Sequence, residues 1–142
     1  MIDAAERTLD LQYYIFANDQ TGLFILDRLL TAADRGVRVR ILVDDMYAHG
    51  IENGLTAFDA HPNIELRLFN PWTQRAGKLT RGMEFLFTPR LNHRMHNKTI
   101  VADGTVAILG GRNLADEYFD LNSEFDFRDL DSKPSDIDLQ IL

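Results

Sequence analysis

The chain has 142 residues, 45% of them hydrophobic, and a formal net charge of −7. These values fit one globular domain and argue against a protein that grips nucleic acid through its overall charge. The chain contains no cysteine, which excludes disulfides and thiolate chemistry, and no apolar run is long enough to span a bilayer.

The first half of the chain alternates predicted helices and strands. Three stretches rich in branched and aromatic residues are predicted strands: 9–16, 37–43 and 64–69. Between and before them lie three predicted helical stretches: the end of a helix at 2–9, a helix that is capped within 18–21 and stopped at Gly36, and a weaker helix at 52–60. This spacing favours right-handed crossovers and a largely parallel sheet, so the predicted fold class is α/β.

The second half departs from this alternation. Residues 70–93 are predicted to be a long irregular segment, which is usually functional or mobile in a compact domain. A hairpin is predicted from strands at 99–102 and 106–109, with a tight turn at Asp103-Gly104. One or two helical turns at 114–119 and a strand at 124–130 follow. The domain is expected to span 1–131, with a tail at 132–142.

The hairpin is predicted to gather reactive groups. His96 and Lys98 are separated by one residue, so they share a face in an extended strand. The return strand brings Gly110, Gly111 and Asn113 back beside His96. A nitrogen that can attack or shuttle protons, a fixed cation, glycines that permit close backbone approach and an amide donor suit a phosphoryl group.

Strand parity separates Asp103 from this group. His96, Lys98 and Ala102 fall on one face of the strand, whereas Asp103 points to the other. Asp103 is therefore expected to stabilise the hairpin rather than to contact His96.

The motif H-x-K-x4-D-x6-G-x2-N is filled in order by His96, Lys98, Asp103, Gly110 and Asn113. It resembles the signature of the phospholipase D superfamily, which makes Asp103 a candidate catalytic position despite its parity. The surrounding sequence is similar to the amino-terminal half of bacterial cardiolipin synthases, in particular the C-type branch, over about residues 1–131. Five stretches carry this likeness: 10–15, 35–40, 59–71, 94–98 and 110–119.

The resemblance implies phosphatidyl transfer through a phosphohistidine. A neutral histidine attacks phosphorus, and a protonated histidine from a second half donates a proton to the leaving alcohol. By this resemblance His96 is the nucleophile, and Lys98 and Asn113 hold the non-bridging oxygens. An acidic residue should orient His96; the family pattern places Asp129 there, with Glu124 as the alternative.

Gly110, Gly111 and Arg94 are the expected substrate-binding residues. The family chemistry implies neither a metal nor another cofactor. Asp44-Asp45 could ligate a metal at a strand end, but no His or Glu spacing supports that, so structural or substrate-loop roles are favoured.

The resemblance also implies a phospholipid substrate, such as phosphatidylglycerol, and a bacterial, cytoplasmic protein at the periphery of the inner membrane. The basic residues of segment 67–94, with Trp72 and Phe85, are either ordinary surface or contacts for an anionic membrane surface. Synthases of the family carry two signatures and this chain has one. An active site therefore requires a homodimer or a second domain of the same kind.

Two alternatives remain. One is a dimeric endonuclease of the same superfamily with a single motif, although the acidic charge makes nucleic acid a less favoured partner. The other is an inactive half-domain fragment of a two-motif enzyme, which would act only as a partner or folding unit.

Overall fold

A computed structural model of the protein describes residues 1–46, 58, 60–72, 88–124 and 127–132. The predicted tail beyond residue 132, the side chain of Phe85 and most of the predicted helix at 52–60 lie outside these residues. No helix in the described ranges is long and apolar enough to cross a membrane.

Within the described residues, six strands form one mixed sheet. They are β1 Thr8–Tyr13, β2 Arg38–Asp44, β3 Ile64–Phe69, β4 Lys98–Ala102, β5 Val106–Gly110 and the two-residue β6 Asp131–Ser132. Their spatial order is β3-β2-β1-β4-β5-β6. β1, β2 and β3 pair in parallel, whereas β4, β5 and β6 join antiparallel. The α/β class is confirmed, with the parallel part confined to the first half of the chain.

Helix α1, Gln20–Asp34, connects β1 to β2 and covers one face of the sheet. The side chain of Asp19 accepts a hydrogen bond from the Gly22 N–H at 3.0 Å and caps the helix. The helix ends just before Gly36, whose φ of 94° is strained for other residues. The apolar side chains of this face alternate along β1 and β2 and recur on α1: Leu9, Leu11, Tyr13, Val39, Ile41, Val43, Leu29, Ala32 and Ala33.

Two predicted elements differ from the structure. Of the predicted helix end at 2–9, only a short 3-10 helix at Ile2–Ala4 is present, and the rest of the prediction is wrong. Leu9 instead lies in β1, where it is fully buried and pairs with Val39 and Ala102. The predicted strand at 124–130 is wrong for its last four residues, and strand pairing begins only at Asp131. Leu130 is 86% exposed, so the sequence alternation there has no buried face to pack.

The hairpin between β4 and β5 is formed as predicted. Asp103 and Gly104 both have positive φ, 55° and 69°, the backbone conformation of a tight hairpin turn. The Asp103 carboxylate accepts hydrogen bonds from three consecutive backbone N–H groups, those of Glu6 (3.0 Å), Arg7 (2.7 Å) and Thr8 (2.9 Å). Asp103 therefore ties the hairpin to the start of β1, at the end of β4 opposite to Lys98.

We expect Asp103→Asn to lower the free energy of unfolding by about 1–3 kcal/mol, because an amide cannot replace a carboxylate that accepts three N–H bonds. Asn tolerates the positive φ at this turn, so the change tests the charge and not the backbone. Burial raises the pKa of Asp103, but the three N–H donors outweigh it and hold the pKa below its ordinary value of 3.8.

The stability from this carboxylate should thus be complete at neutral pH and be lost as the pH falls through the lowered pKa. Denaturant unfolding of both proteins at pH 7 and near pH 3 measures the difference. An Asp103→Asn variant that is as stable as the parent at pH 7, or one that is fully folded yet inactive, would contradict the structural role.

Candidate active site

His96 lies on an extended segment, residues 93–97, that precedes β4. Its own side chain is exposed, while the segment around it is anchored to the carboxyl-terminal ends of the first three strands and the loops that follow them. Three hydrogen bonds form these anchors: Asn70 Nδ2 to the His93 carbonyl at 2.7 Å, the Met95 N–H to Asp44 Oδ2 at 2.9 Å, and Asn97 Nδ2 to Gln12 Oε1 at 2.7 Å.

His96 and Lys98 lie side by side, as their spacing predicts. Lys98 Nζ is 3.3 Å from His96 Nδ1 and donates a hydrogen bond to the His96 carbonyl at 2.8 Å. The ring of Tyr14 stacks on the imidazole with centroids 4.1 Å apart, and Lys98 Nζ is 5.5 Å from the same ring. Burial lowers the pKa of Lys98, and the charge of Asp129 partly offsets that effect. An imidazole and a partly desolvated ammonium therefore share one small site.

Asn113 is brought to the same place by the loop that follows β5. Its side chain is 2% exposed and spans two elements. Oδ1 accepts a hydrogen bond from the Ile15 N–H at 3.1 Å, and Nδ2 donates to the Tyr118 hydroxyl at 2.8 Å. One hydrogen of the Nδ2 group is used by Tyr118, which leaves its second hydrogen for a ligand.

The Asn113 loop is fixed to the amino-terminal end of α1 by two acidic residues. The Asp116 N–H donates to Asp19 Oδ2 at 2.7 Å, and Asp116 Oδ1 accepts from the Thr21 N–H at 2.7 Å. The predicted helical turn is present as a short 3-10 helix, Asp116–Tyr118. Sequence reasoning missed Asp116; an acidic residue at the start of a predicted turn was the available signal.

The two glycines have different surroundings. Gly111 borders the site, and a Cβ there would overlap the carboxylate of Asp129. Gly110 is the last residue of β5 and pairs with Asp131 of β6, whose atoms fill the space that a side chain would need. Gly111 therefore permits close approach to the site, whereas at Gly110 the missing side chain makes room for the sheet edge, and its substrate-binding role stays a prediction.

A pocket of about 300 Å³ joins these groups. Five of the sequence-predicted residues line it together: His96, Lys98, Gly111, Asn113 and Asp129. Tyr14, which the sequence places at a strand end where it could face the site, also lines the pocket, together with four residues that sequence analysis did not single out: Ile15, Tyr118, Phe127 and Arg128. Glu124 is exposed and is not among the described residues that border the pocket, so Asp129 is the better placed of the two acidic candidates.

Two predicted site residues, Asp103 and Arg94, are not among the residues that line the pocket. Asp103 lies at the far end of β4, where it holds the backbone of residues 6–8, so the structure supports the hairpin role that strand parity predicts and not the catalytic one. The Arg94 side chain is 8% exposed, forms an ion pair with Asp44 at 3.0 Å and lies 5.3 Å from the Trp72 ring. The guanidinium is buried and paired and is not among the described residues that line the pocket, so the structure gives no support to the substrate-binding role predicted for Arg94.

The structure also shows the surroundings of Trp72, which was considered as a membrane contact, and of Asp44 and Asp45, which were considered as metal ligands. Trp72 is 8% exposed, which contradicts a membrane contact for this side chain. Asp44 and Asp45 are fully buried and accept hydrogen bonds from backbone N–H groups, as a structural role requires. Within the described ranges, no group of three His, Cys, Asp or Glu side chains could hold a metal ion.

Comparison with known proteins places these groups in context. Residues 1–136 match the family described as "Cardiolipin synthase, PLD-like domain". The chain is 47% identical over 132 residues to cardiolipin synthase C of Escherichia coli, an alignment that covers 92% of this chain and 27% of that protein. The chain thus spans about a quarter of the length of the curated relatives it matches.

Two solved structures have the same fold. NucT from Helicobacter pylori matches with a TM-score of 0.58 at 20% identity, over 83% of this chain and 65% of that one. Nuc from Salmonella typhimurium, a phospholipase D family member, matches with a TM-score of 0.53 at 23% identity, over 80% of this chain and 60% of that one. At these identities the likeness concerns the fold alone.

Proposed function

Since the chain belongs to the cardiolipin synthase, PLD-like domain family, we propose that it transfers a phosphatidyl group between alcohols through a phosphohistidine on His96. The observation that carries this proposal is the pocket in which His96 and Lys98 lie 3.3 Å apart beside Gly111 and the buried amide of Asn113. This set offers a nucleophile, a cation and N–H donors to one phosphodiester.

The proposed reaction has two displacements at phosphorus. A ring nitrogen of His96 forms a bond to phosphorus while the bond to the leaving alcohol breaks, and a second histidine gives that alcohol its proton. The same second histidine then takes the proton of an incoming alcohol, which attacks phosphorus and frees His96. Lys98 and the second Nδ2 hydrogen of Asn113 hold the non-bridging oxygens, and Asp129 is the proposed orienting acid for His96.

The second histidine is proposed to come from another phospholipase D-type unit. The domain formed by about residues 1–131 contains one signature, and its curated relatives are about four times longer than the stretch it matches. Either a second copy related by a two-fold axis or a second domain could supply the missing group. Light scattering over a range of concentrations distinguishes a dimer, which could complete its own site, from a monomer.

The proposed substrate is a phospholipid such as phosphatidylglycerol, met at the periphery of a bacterial inner membrane on the cytoplasmic side. Vesicles that contain phosphatidylglycerol test the reaction: labelled glycerol release reports cleavage of the phosphodiester, and cardiolipin among the lipid products reports transfer rather than hydrolysis. The same preparation is incubated with plasmid DNA in parallel. Glycerol release without DNA cleavage supports the proposal, whereas DNA cleavage without glycerol release would replace it with an endonuclease activity.

The pH dependence of kcat tests the effect of the Asp129 charge on Lys98. Because the charge of Asp129 raises the pKa of Lys98 against the effect of burial, Asp129→Asn should lower that pKa further. If turnover needs the Lys98 ammonium, the alkaline limb of the kcat profile should move to lower pH in this variant. Glu124→Gln is the matched control and should leave the limb in place. An alkaline limb that is the same in both variants would show that the charge of Asp129 does not set the pKa of Lys98 during turnover.

A further inference from the structure

Asp44 is a fully buried carboxylate at the carboxyl-terminal end of β2, and both of its oxygens are used. Oδ1 accepts hydrogen bonds from the Met46 N–H at 2.9 Å and from Arg94 Nη1 at 3.0 Å. Oδ2 accepts from the Met95 N–H at 2.9 Å. A buried charge needs such compensation. Here the compensation comes largely from the two residues that immediately precede His96.

The segment that carries His96 depends on such tethers because residues 93–97 belong to no strand of the sheet. Regular pairing begins at Lys98, which lies opposite Tyr13 of β1. On the other side of His96, the Met95 N–H is bound to Asp44 and the Met95 side chain is buried. The backbone around His96 is thus held between β4 and the carboxylate of Asp44.

Arg94 adds a second link to the same carboxylate. Its guanidinium is buried, lies over the Trp72 ring and pairs with Asp44. Its Nε and Nη2 atoms have no hydrogen-bond acceptor within the described part of the chain. Asp44 therefore provides the charge that keeps Arg94 in place beside His96.

Asp45 provides a matched comparison. It is the next residue, it is equally buried, and its Oδ2 also accepts a backbone hydrogen bond, at 2.8 Å. That bond comes from Trp72, on the loop after β3, and not from the His96 segment. The two neighbouring carboxylates thus share burial and chemistry but hold different parts of the chain.

We propose that Asp44 is a positioning residue that sets the place of His96 relative to Lys98 through the Met95 N–H and Arg94. This inference rests on the proposed function, since it concerns the nucleophile of that reaction. Misplacement of a reacting group by about 1 Å can cost about 100-fold in rate. Loss of the Asp44 charge should therefore lower kcat much more than it raises KM.

The experiment compares Asp44→Asn with Asp45→Asn in the full chain, in the same dimer or complex used for the transfer assay. Amide hydrogen exchange at residues 95–97 reports the tether without any need for activity. Asp44→Asn should speed exchange at Met95 by at least about tenfold and lower kcat by about 10- to 100-fold, with KM within about threefold. Asp45→Asn should leave exchange at residues 95–97 and kcat close to those of the parent, even where both variants melt at similarly lowered temperatures.

Equal exchange rates at residues 95–97 in the two variants, or equal losses of kcat, would overturn the proposal. Because Asp44→Asn leaves Arg94 as a buried cation without its partner, the comparison is repeated in an Arg94→Met background, which removes that charge. Faster exchange at Met95 on adding Asp44→Asn there supports the tether, and unchanged exchange overturns it. A His96→Ala protein that retains turnover would refute the proposed function instead, and the exchange contrast would still decide the tether.

Discussion

His96→Ala is expected to abolish phosphatidyl transfer, with kcat lowered by at least about 10⁴-fold, because the imidazole that forms the proposed covalent bond to phosphorus is then missing. The fold should survive the change. The His96 side chain is exposed, and its contacts are the Tyr14 ring and Lys98. Reactions with phosphatidylglycerol that carries the label in its phosphatidyl group, stopped with denaturant at mildly alkaline pH, measure both turnover and the acid-labile covalent intermediate, which should disappear together.

His93→Ala is the matched control for this experiment. His93 is an exposed histidine three residues earlier on the same segment, it does not border the pocket, and its contact with Asn70 uses the backbone carbonyl. The control should keep activity within about twofold of the parent, since surface changes away from special features have small effects. Turnover that persists in a folded His96→Ala protein would refute the assignment of the nucleophile.

Lys98→Met is expected to lower kcat by about 10²- to 10³-fold, since a preorganised cation is then missing where negative charge develops on the phosphoryl oxygens. Met keeps most of the length of the side chain and loses the charge and the N–H donors, including the one bound to the His96 carbonyl. Lys98→Arg should recover little of the lost rate, because a planar guanidinium does not fit a site built for a compact ammonium beside the Tyr14 ring. Steady-state kinetics on the three proteins measure this order.

The stability of the Lys98→Met protein shows whether Lys98 holds the substrate or the fold. Burial lowers the pKa of Lys98, so the folded protein disfavours its charged form, and the charged lysine costs stability at neutral pH. Lys98→Met should therefore unfold at the same or a slightly higher denaturant concentration than the parent. Loss of activity together with a large loss of stability would indicate that Lys98 holds the fold rather than the substrate.

The parts of the site that sequence predicted are those fixed by local geometry. The i and i+2 spacing of His96 and Lys98 and the turn at Asp103-Gly104 decide side-chain direction within a few residues, and the structure agrees at both places. The same alternation of faces placed Asp103 away from His96. Backbone periodicity is sufficient for such predictions because it does not depend on what packs against the strand.

The features that sequence reasoning did not predict depend on packing between distant parts of the chain. Arg94 is next to the motif and basic, so it looked like a substrate ligand, but Asp44 on another strand buries and pairs it. Residues 127–130 alternate like a strand, but in the described part of the chain they pair with no other strand. Pairing with β5 begins only in β6, at Asp131. The stacking of Tyr14 on His96 was not predicted either, because it depends on the antiparallel pairing of β1 with β4.

The central position of β1 has a consequence for how the protein folds. The hairpin of β4 and β5 has local contacts and can form early, whereas its docking on β1 joins groups 95 residues apart at Thr8 and Asp103 and 98 apart at Ile15 and Asn113. Closure of such long loops is slow and comes late. A nascent chain must therefore release residues through β4 from the ribosome before the His96 imidazole can stack on Tyr14, and residues through Asp129 before the pocket is complete.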